Sequence, residues 1–219
     1  MTTRKTFHEQ LQDLQHDLLK MGLIVNQAID RAVQSLARVD AAEARAIVAG
    51  DDAVDQMMID IEKRCLELMA LQQPLARDLR TVGTILKIVT DLERIADHAV
   101  DIAKVTIKLE GQKLVKELID IPKMADLVQR MTREALEAFV NRDVEAVKRM
   151  VALDDEVDHL YRTVFNDLLT IMEKEPAKVH QSTYLLLVGM YLERVGDHAT
   201  NLGEWTIYMV TGELTDMNP

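Results

Sequence analysis

Apolar residues recur along the chain at helical spacing. Near the start, Phe7, Leu11, Leu14, Leu18, Met21, Val25, Ala28 and Ala32 step by alternating fours and threes. That is the seam of a helix packed along its length against others. Asp40 follows as an N-cap, with Glu43 placed three residues on to complete a capping box. A second helix runs from there to about Ala70. Pro74 opens a third, since proline is tolerated in a first turn, and Gly111 ends it after about Glu110. The same order then returns. One helix starts near Pro122, a second is capped by Asp143, and a third opens at Pro176 and ends near Gly212. Short connections make neighbouring helices antiparallel. The pattern predicts an all-α protein of six long helices, arranged as two tandem three-helix bundles over residues 1–112 and 113–219.

The second half repeats the first. Residues 91–103 read DLERIADHAVDIA and residues 191–203 read YLERVGDHATNLG, an offset of 100. Upstream, DAAEARAIVAGDDAVD from Asp40 to Asp55 matches DVEAVKRMVALDDEVD from Asp143 to Asp158, an offset of 103. Two matched blocks in the same order indicate duplication of a whole unit.

Composition narrows the function. Hydrophobic residues make up 48% of the 219 residues and charged residues 29%, which disfavours disorder. Aromatics are only 4%, and glycine and proline are scarce, which favours helices over strands. The net charge of −11 disfavours direct contact with nucleic-acid phosphates. Cys65 is the single cysteine and sits in the helical pattern Ile61, Cys65, Leu68, so it reads as a small buried hydrophobe. With no signal-peptide pattern at the start, a cytoplasmic, reducing setting is expected. The longest apolar stretch, Tyr184 to Leu192, is too short to span a bilayer, so any membrane role is expected to run through a partner. The sequence holds no phosphate-binding glycine loop, dinucleotide fingerprint, zinc-protease helix or nucleophile elbow. Trp205 and most methionines read as packing.

Four places carry acids at i and i+4: Asp51 with Asp55, Glu93 with Asp97, Asp154 with Asp158, and Glu193 with Asp197. Asp101 extends the second pair by a turn, and Asn201 holds the equivalent place in the other copy. Residues four apart share a helix face, where like charges cost about 0.2–0.5 kcal/mol per pair. With Glu93 at the origin, Asp97 falls at about 40° and Asp101 at about 80°, on the border of the apolar face. In each antiparallel hairpin the acids of the second helix lie within about 3 Å of rise of those on the third. Each unit can therefore gather four carboxylates into one patch. Oxygen-rich clusters suit hard cations such as magnesium, manganese or iron. The alternative is a solvated acidic border, partly paired with Arg94 and Arg194. The duplication and the matched levels favour metal. His98 and His198 lie about 100° round the helix from the adjacent acids, which suits packing or hydrogen bonding better than ligation.

The paired L-E-R-[IV]-x-D-H-A segments, each preceded by D-D-x-V-D in a three-helix unit, resemble the PhoU family from about Phe7 to Gly212. The resemblance implies two tandem three-helix bundles and acidic motifs that bind metal, iron clusters among them. Those motifs fall on Asp51/Asp55, Glu93/Asp97, Asp154/Asp158 and Glu193/Asp197. Asp101, which departs from the asparagine kept at Asn201, is a ninth candidate metal ligand. The resemblance also implies a non-enzymatic regulator of phosphate uptake, likened to a homodimer or higher oligomer. Such a protein would connect the ATPase of a phosphate ABC transporter to a phosphate-sensing membrane histidine kinase. It would keep phosphate-starvation genes off when phosphate is plentiful. The competing reading of the same acids is a metal-dependent enzyme or metal store.

Overall fold

The computed structural model describes residues 2–217. These are 86% helical, with no strand among them. The first unit comprises α1 (Thr2–Arg38), α2 (Ala41–Ala49), α3 (Asp52–Gln72) and α4 (Arg77–Lys108). The second comprises α5 (Asp120–Asn141), α6 (Val144–Val151), α7 (Asp154–Lys174), a 3-10 turn at Pro176–Lys178, and α8 (Val179–Thr211). The six long helices are α1, α3, α4, α5, α7 and α8.

The expected second helix of each unit is broken in two. In the first unit Gly50 ends α2, its N–H bonded to Ile47 O at 3.0 Å, and α3 starts anew two residues later. In the second unit Leu153 N–H reaches Met150 O at 2.9 Å before Asp154 opens α7. Such i to i−3 bonds tighten the last turn of a helix. The acids that follow are favoured at a new N-terminus, where the helix dipole is positive. Asp51, Asp52 and Asp55 gain this at α3, and Asp154 and Asp155 at α7.

Asp40 caps α2 by accepting from the backbone N–H of Ala42 and Glu43, at 3.1 and 3.0 Å. The reciprocal half of the expected capping box does not form. Glu43 instead accepts from Arg31 Nε at 2.6 Å, and Asp40 N–H goes to Ser35 O at 2.8 Å. Asp143 repeats the cap, accepting from Ala146 N–H at 2.9 Å. Gly212 ends α8 at φ 84°, a left-handed conformation that glycine adopts without a steric cost. Pro122 falls in the first turn of α5, whereas the helix expected to open at Pro74 begins at Arg77, after a turn.

The α1 seam is buried from Phe7 through Ala32, except that Ala28 is half-exposed and Ile29 takes the core position. Cys65 is fully buried, and burial pushes its thiol up to about 12. The two units share one core. Helices α1, α4, α5 and α8 are central: α4 packs on α8, α1 on α5, and each unit contributes two. Helices α2 and α3 cover α1 and α4, while α6 and α7 cover α5 and α8. Each fully buried leucine or isoleucine along α4, such as Ile85, Ile88, Leu92 or Ile95, contributes about 1.5–3 kcal/mol of apolar burial. Where α1 crosses α5, a Cβ at Gly22 would collide with the Leu136 side chain, so glycine sets the close approach. Nearby, Asn26 Nδ2 donates to Gln129 O at 3.1 Å.

The linker between the units packs Leu114, Val115 and Leu118 on the core, pairs Lys116 with Asp167 at 2.5 Å, and is tied to α8 by a buried glutamine. Gln181, buried on α8, donates to Gln112 Oε1 at 3.1 Å and to Lys113 O at 3.2 Å, and accepts from Val115 N–H. This arrangement fixes how the second unit follows the first. No helix among the described residues is long and apolar enough to cross a membrane.

Candidate functional site

The first acid patch lies where α3 begins against the middle of α4. Asp51 sits in the turn before α3 and Asp55 in its first turn, while Glu93 and Asp97 stand one turn apart on α4. All four are half-buried. Burial raises the Asp51 carboxyl above its ordinary value, and Asp55 and Asp97 add to this while Lys104 opposes it. Glu93 is raised by burial and then by Asp97, with Asp55 and Asp51 contributing and Arg94 opposing. The four acids thus share one field, as the level matching anticipated. Arg94 lies against two of them, with Nε 3.4 Å from Glu93 Oε2 and a guanidinium nitrogen 3.2 Å from Asp97 Oδ2. Asp101 stands apart from this group. It pairs with Lys104 at 3.1 Å and acts on Tyr191 and His98 across the α4–α8 contact.

The second patch is the copy, between the start of α7 and α8. Asp154 opens α7, Asp158 follows one turn on, and Glu193 and Asp197 face them from α8. Burial pushes Asp154 up to about 6, reinforced by Asp197, Asp158 and Glu193. Glu193 is raised by burial, Asp197 and Asp158, with Arg194 opposing. Asp158 also binds Arg162 at 3.0 Å. A Cβ on Gly196 would lie 2.9 Å from Asp154 Oδ1. The first copy has Ala96 at that place. Gly196 is therefore the cradle into which the Asp154 carboxylate settles, a role the sequence motif did not disclose.

The donor set of both patches suits a hard cation: carboxylate oxygens, crowded enough to raise one another's pKa. As they stand the side chains do not form a coordination sphere. Among the described residues, no three or more His, Cys, Asp or Glu are grouped so as to hold a metal ion. The patches fit a cation by residue type and by placement on facing helices.

Between the patches runs a seam of polar and aromatic groups where α4 meets α8. His198 Nδ1 lies 2.9 Å from Asp91 Oδ1. The duplicate of that contact is His98 against Tyr191, rings stacked at 5.7 Å. The two histidine rings lie 5.8 Å apart. Burial, then His198, lowers the pKa of His98, whose buried Nδ1 has no hydrogen-bond partner among the described residues. Further along, Lys87 lies over Trp205 at 5.3 Å and Lys108 over Tyr184 at 5.1 Å. Packing and hydrogen bonding were the roles expected for the histidines and Trp205. Asp91 and Tyr191 were missed, although they are the repeat's most dissimilar pair and mark where the two copies face each other.

Two three-helix units fused through their third helices, each carrying an acidic patch between its second and third helices, define the class of protein. The PhoU domain family matches residues 18–106 and 121–206, and the chain belongs to this family. It is 42% identical over 217 residues to a phosphate-specific transport system accessory protein PhoU homolog from Clostridium acetobutylicum, covering 99% of both chains. It is 34% identical to the homolog from Aquifex aeolicus, covering 96% of this chain and 95% of that one. The crystal structure of PhoU from Pseudomonas aeruginosa superposes with a TM-score of 0.89 at 34% identity, covering 94% of this chain and all of the other. That of the phosphate transport system regulatory protein PhoU from Streptococcus pneumoniae gives 0.89 at 30% identity, over 96% and 99%.

Proposed function

We propose that this protein is a cytoplasmic accessory regulator of phosphate transport that restrains uptake and keeps the phosphate-starvation genes off when phosphate is plentiful. It does so without turning over a substrate, as an adaptor between the ATPase of a phosphate ABC transporter and a phosphate-sensing membrane histidine kinase. The observation that carries this reading is the match of the whole two-unit architecture to proteins named as phosphate transport accessory and regulatory proteins. The acid patches are read as two cation sites, one per unit. Asp51, Asp55, Glu93 and Asp97 would hold one ion, and Asp154, Asp158, Glu193 and Asp197 the other. A bound cation would neutralise the crowded carboxylates and clamp the second helix of each unit to the third.

Deleting the gene tests the regulatory reading. Starvation-gene reporters should rise in phosphate-rich medium, and the wild-type gene should restore repression. Unchanged reporter expression in the deletion strain would refute it. Turnover of a phosphoester or peroxide by the purified protein, lost in Glu93→Ala, would instead support a metal-dependent enzyme.

A further inference from the structure

The corner where the linker meets the start of α8 holds a cavity of about 520 Å³. Gln112, Lys113, Ala177, Lys178, His180 and Gln181 line it, and no carboxylate does. The chain as a whole carries 37 acids against 26 lysines and arginines. Cavities of this size take small molecules where a few polar groups converge. Gln181 is already committed, since its amide ties down the linker. Lys113 forms no ion pair among the described residues. Lys178 pairs with Glu175 at 2.8 Å, but the two side chains are 35% and 54% exposed. An ion pair so open to water contributes about 1 kcal/mol at most, so a better anion can displace it. Glu110, three residues before Lys113, is held by Arg45 at 2.5 Å, and Glu117 and Glu173 lie outside the lining. Lys108 adds a charge at the edge. Its Nζ lies 5.1 Å from the centre of the Tyr184 ring, and His180 packs edge-on against the same ring at 4.9 Å. With Glu175 set against Lys178, the corner stays positive through Lys113 and Lys108.

The duplication supplies a control. The start of α4 meets the end of α8 much as the start of α8 meets the segment after α4. There, Arg80 Nε donates to Met209 O at 3.4 Å, and the guanidinium lies beside Gly212. At the offset of 100, Lys113 and Lys178 are matched by Glu213 and Asp78, and the buried Gln181 by the buried Thr81. One corner has two lysines where the other has two acids. The fold therefore accepts either sign of charge at these places, and the lysines are not there to build it.

We propose that this corner binds an oxyanion of the phosphate class, either the free ion or the phosphoryl end of a small molecule such as a nucleotide. The ammonium groups of Lys113 and Lys178 act as point charges, the way lysine binds phosphate. A phosphoryl group offers at least three acceptor oxygens and close to two charges, enough to meet both lysines and His180 together. A lone carboxylate has two oxygens and one charge to share among them. The anion would bridge Lys113 on the linker and Lys178 at the head of α8. Gln181 ties the same two segments, so the bound anion would brace the junction between the units. The proposal depends neither on the cation sites nor on the adaptor reading.

The test is calorimetric titration of the metal-free, full-length chain with inorganic phosphate and, separately, with ATP, against sodium chloride at matched ionic strength. Saturable binding of one anion per chain is expected, with a rise in Tm. Phosphate bound as well as ATP would support the proposal with the free ion as ligand, and much tighter ATP would support it with a phosphorylated molecule. Lys113→Glu should weaken binding about tenfold with unchanged circular dichroism, and Lys113→Arg should retain it. Lys63→Glu, on α3, should leave it unchanged. No binding of either ligand beyond the chloride blank would overturn the proposal. So would wild-type affinity in Lys113→Glu/Lys178→Gln, or an equal loss in Lys63→Glu, which would reduce the effect to overall charge.

Discussion

The two acid patches use the same four residue types at the same places, and they carry their charge differently. In the first, Arg94 reaches both Glu93 and Asp97, and Lys104 lowers the field at Asp51. In the second, Asp154 is drawn in over Gly196 and pushed up to about 6 by burial and by three facing acids. The difference traces to small changes between copies: Ala96 against Gly196, and Asp101 with Lys104 against Asn201 with Glu204. Removing one methyl group leaves room for the Asp154 carboxylate over α8, and the second copy has Glu204 where Lys104 stands in the first. Both patches keep arginines of their own, Arg94 at the first, Arg194 and Arg162 at the second. Burial and crowding act most strongly on Asp154, so the second patch should bind a cation more tightly.

Substitutions can break or sharpen this contrast. The largest expected effect is that of Gly196→Ala, whose Cβ would push Asp154 out of its cradle. Cation affinity at the second patch should fall about tenfold, about 1.4 kcal/mol, with the first patch unaffected. Titration of the metal-loaded variant against a competing chelator checks this.

Asp154→Asn should act more modestly, and in the metal-free protein. The folded-state pKa of Asp154 lies above the unfolded value of about 3.9. The folded protein therefore holds that proton more tightly. The stabilisation this gives is complete below the unfolded pKa and is lost as pH rises through about 6. At pH 8 the ionised carboxylate is a burden, and asparagine should stabilise by about 1 kcal/mol once solvent screening of this half-exposed group is allowed for. Below about pH 4 that gain should vanish. Urea unfolding of both proteins at pH 8 and pH 4 measures it.

Arg94→Gln should have the smallest effect, a loss of about 0.5 kcal/mol without metal, because the guanidinium is more than half exposed. Its use is diagnostic. By freeing Glu93 and Asp97 it should make the first patch respond to cations more as the second does, visible as a larger metal-induced rise in Tm.

Most of the fold could be read from the sequence, because its signals are local and doubled. The Phe7–Ala32 seam, the Asp40 and Asp143 caps and the terminal Gly212 each act within one or two turns. The duplication then confirmed each reading against its copy. The acid patches were legible for the same reason, since i, i+4 spacing and hairpin level fix which carboxylates can meet. What escaped depends on contacts between distant segments. The break at Gly50 was hidden because Asp51 to Asp55 keep helical spacing across it. Glu43 was diverted from its capping box by Arg31, twelve residues away on α1. Asp101 has the spacing of an acid-patch member, and its pairing with Lys104 and its reach to Tyr191 on α8 could not be read from that spacing. The pairing of Asp91 with His198 spans 107 residues, and no periodicity announces it.

The most direct test of the account is calorimetric titration of the metal-free protein with manganese. Two sites of unequal affinity are expected. Glu193→Ala/Asp197→Ala should remove the tighter one, and Glu93→Ala/Asp97→Ala the weaker. At a hundredfold excess over Kd each filled site should stabilise the fold by about 2.7 kcal/mol. If the wild-type protein gave no binding heat, or if both double variants kept the full two-site isotherm, these acids would be a solvated border and the cation reading would be wrong.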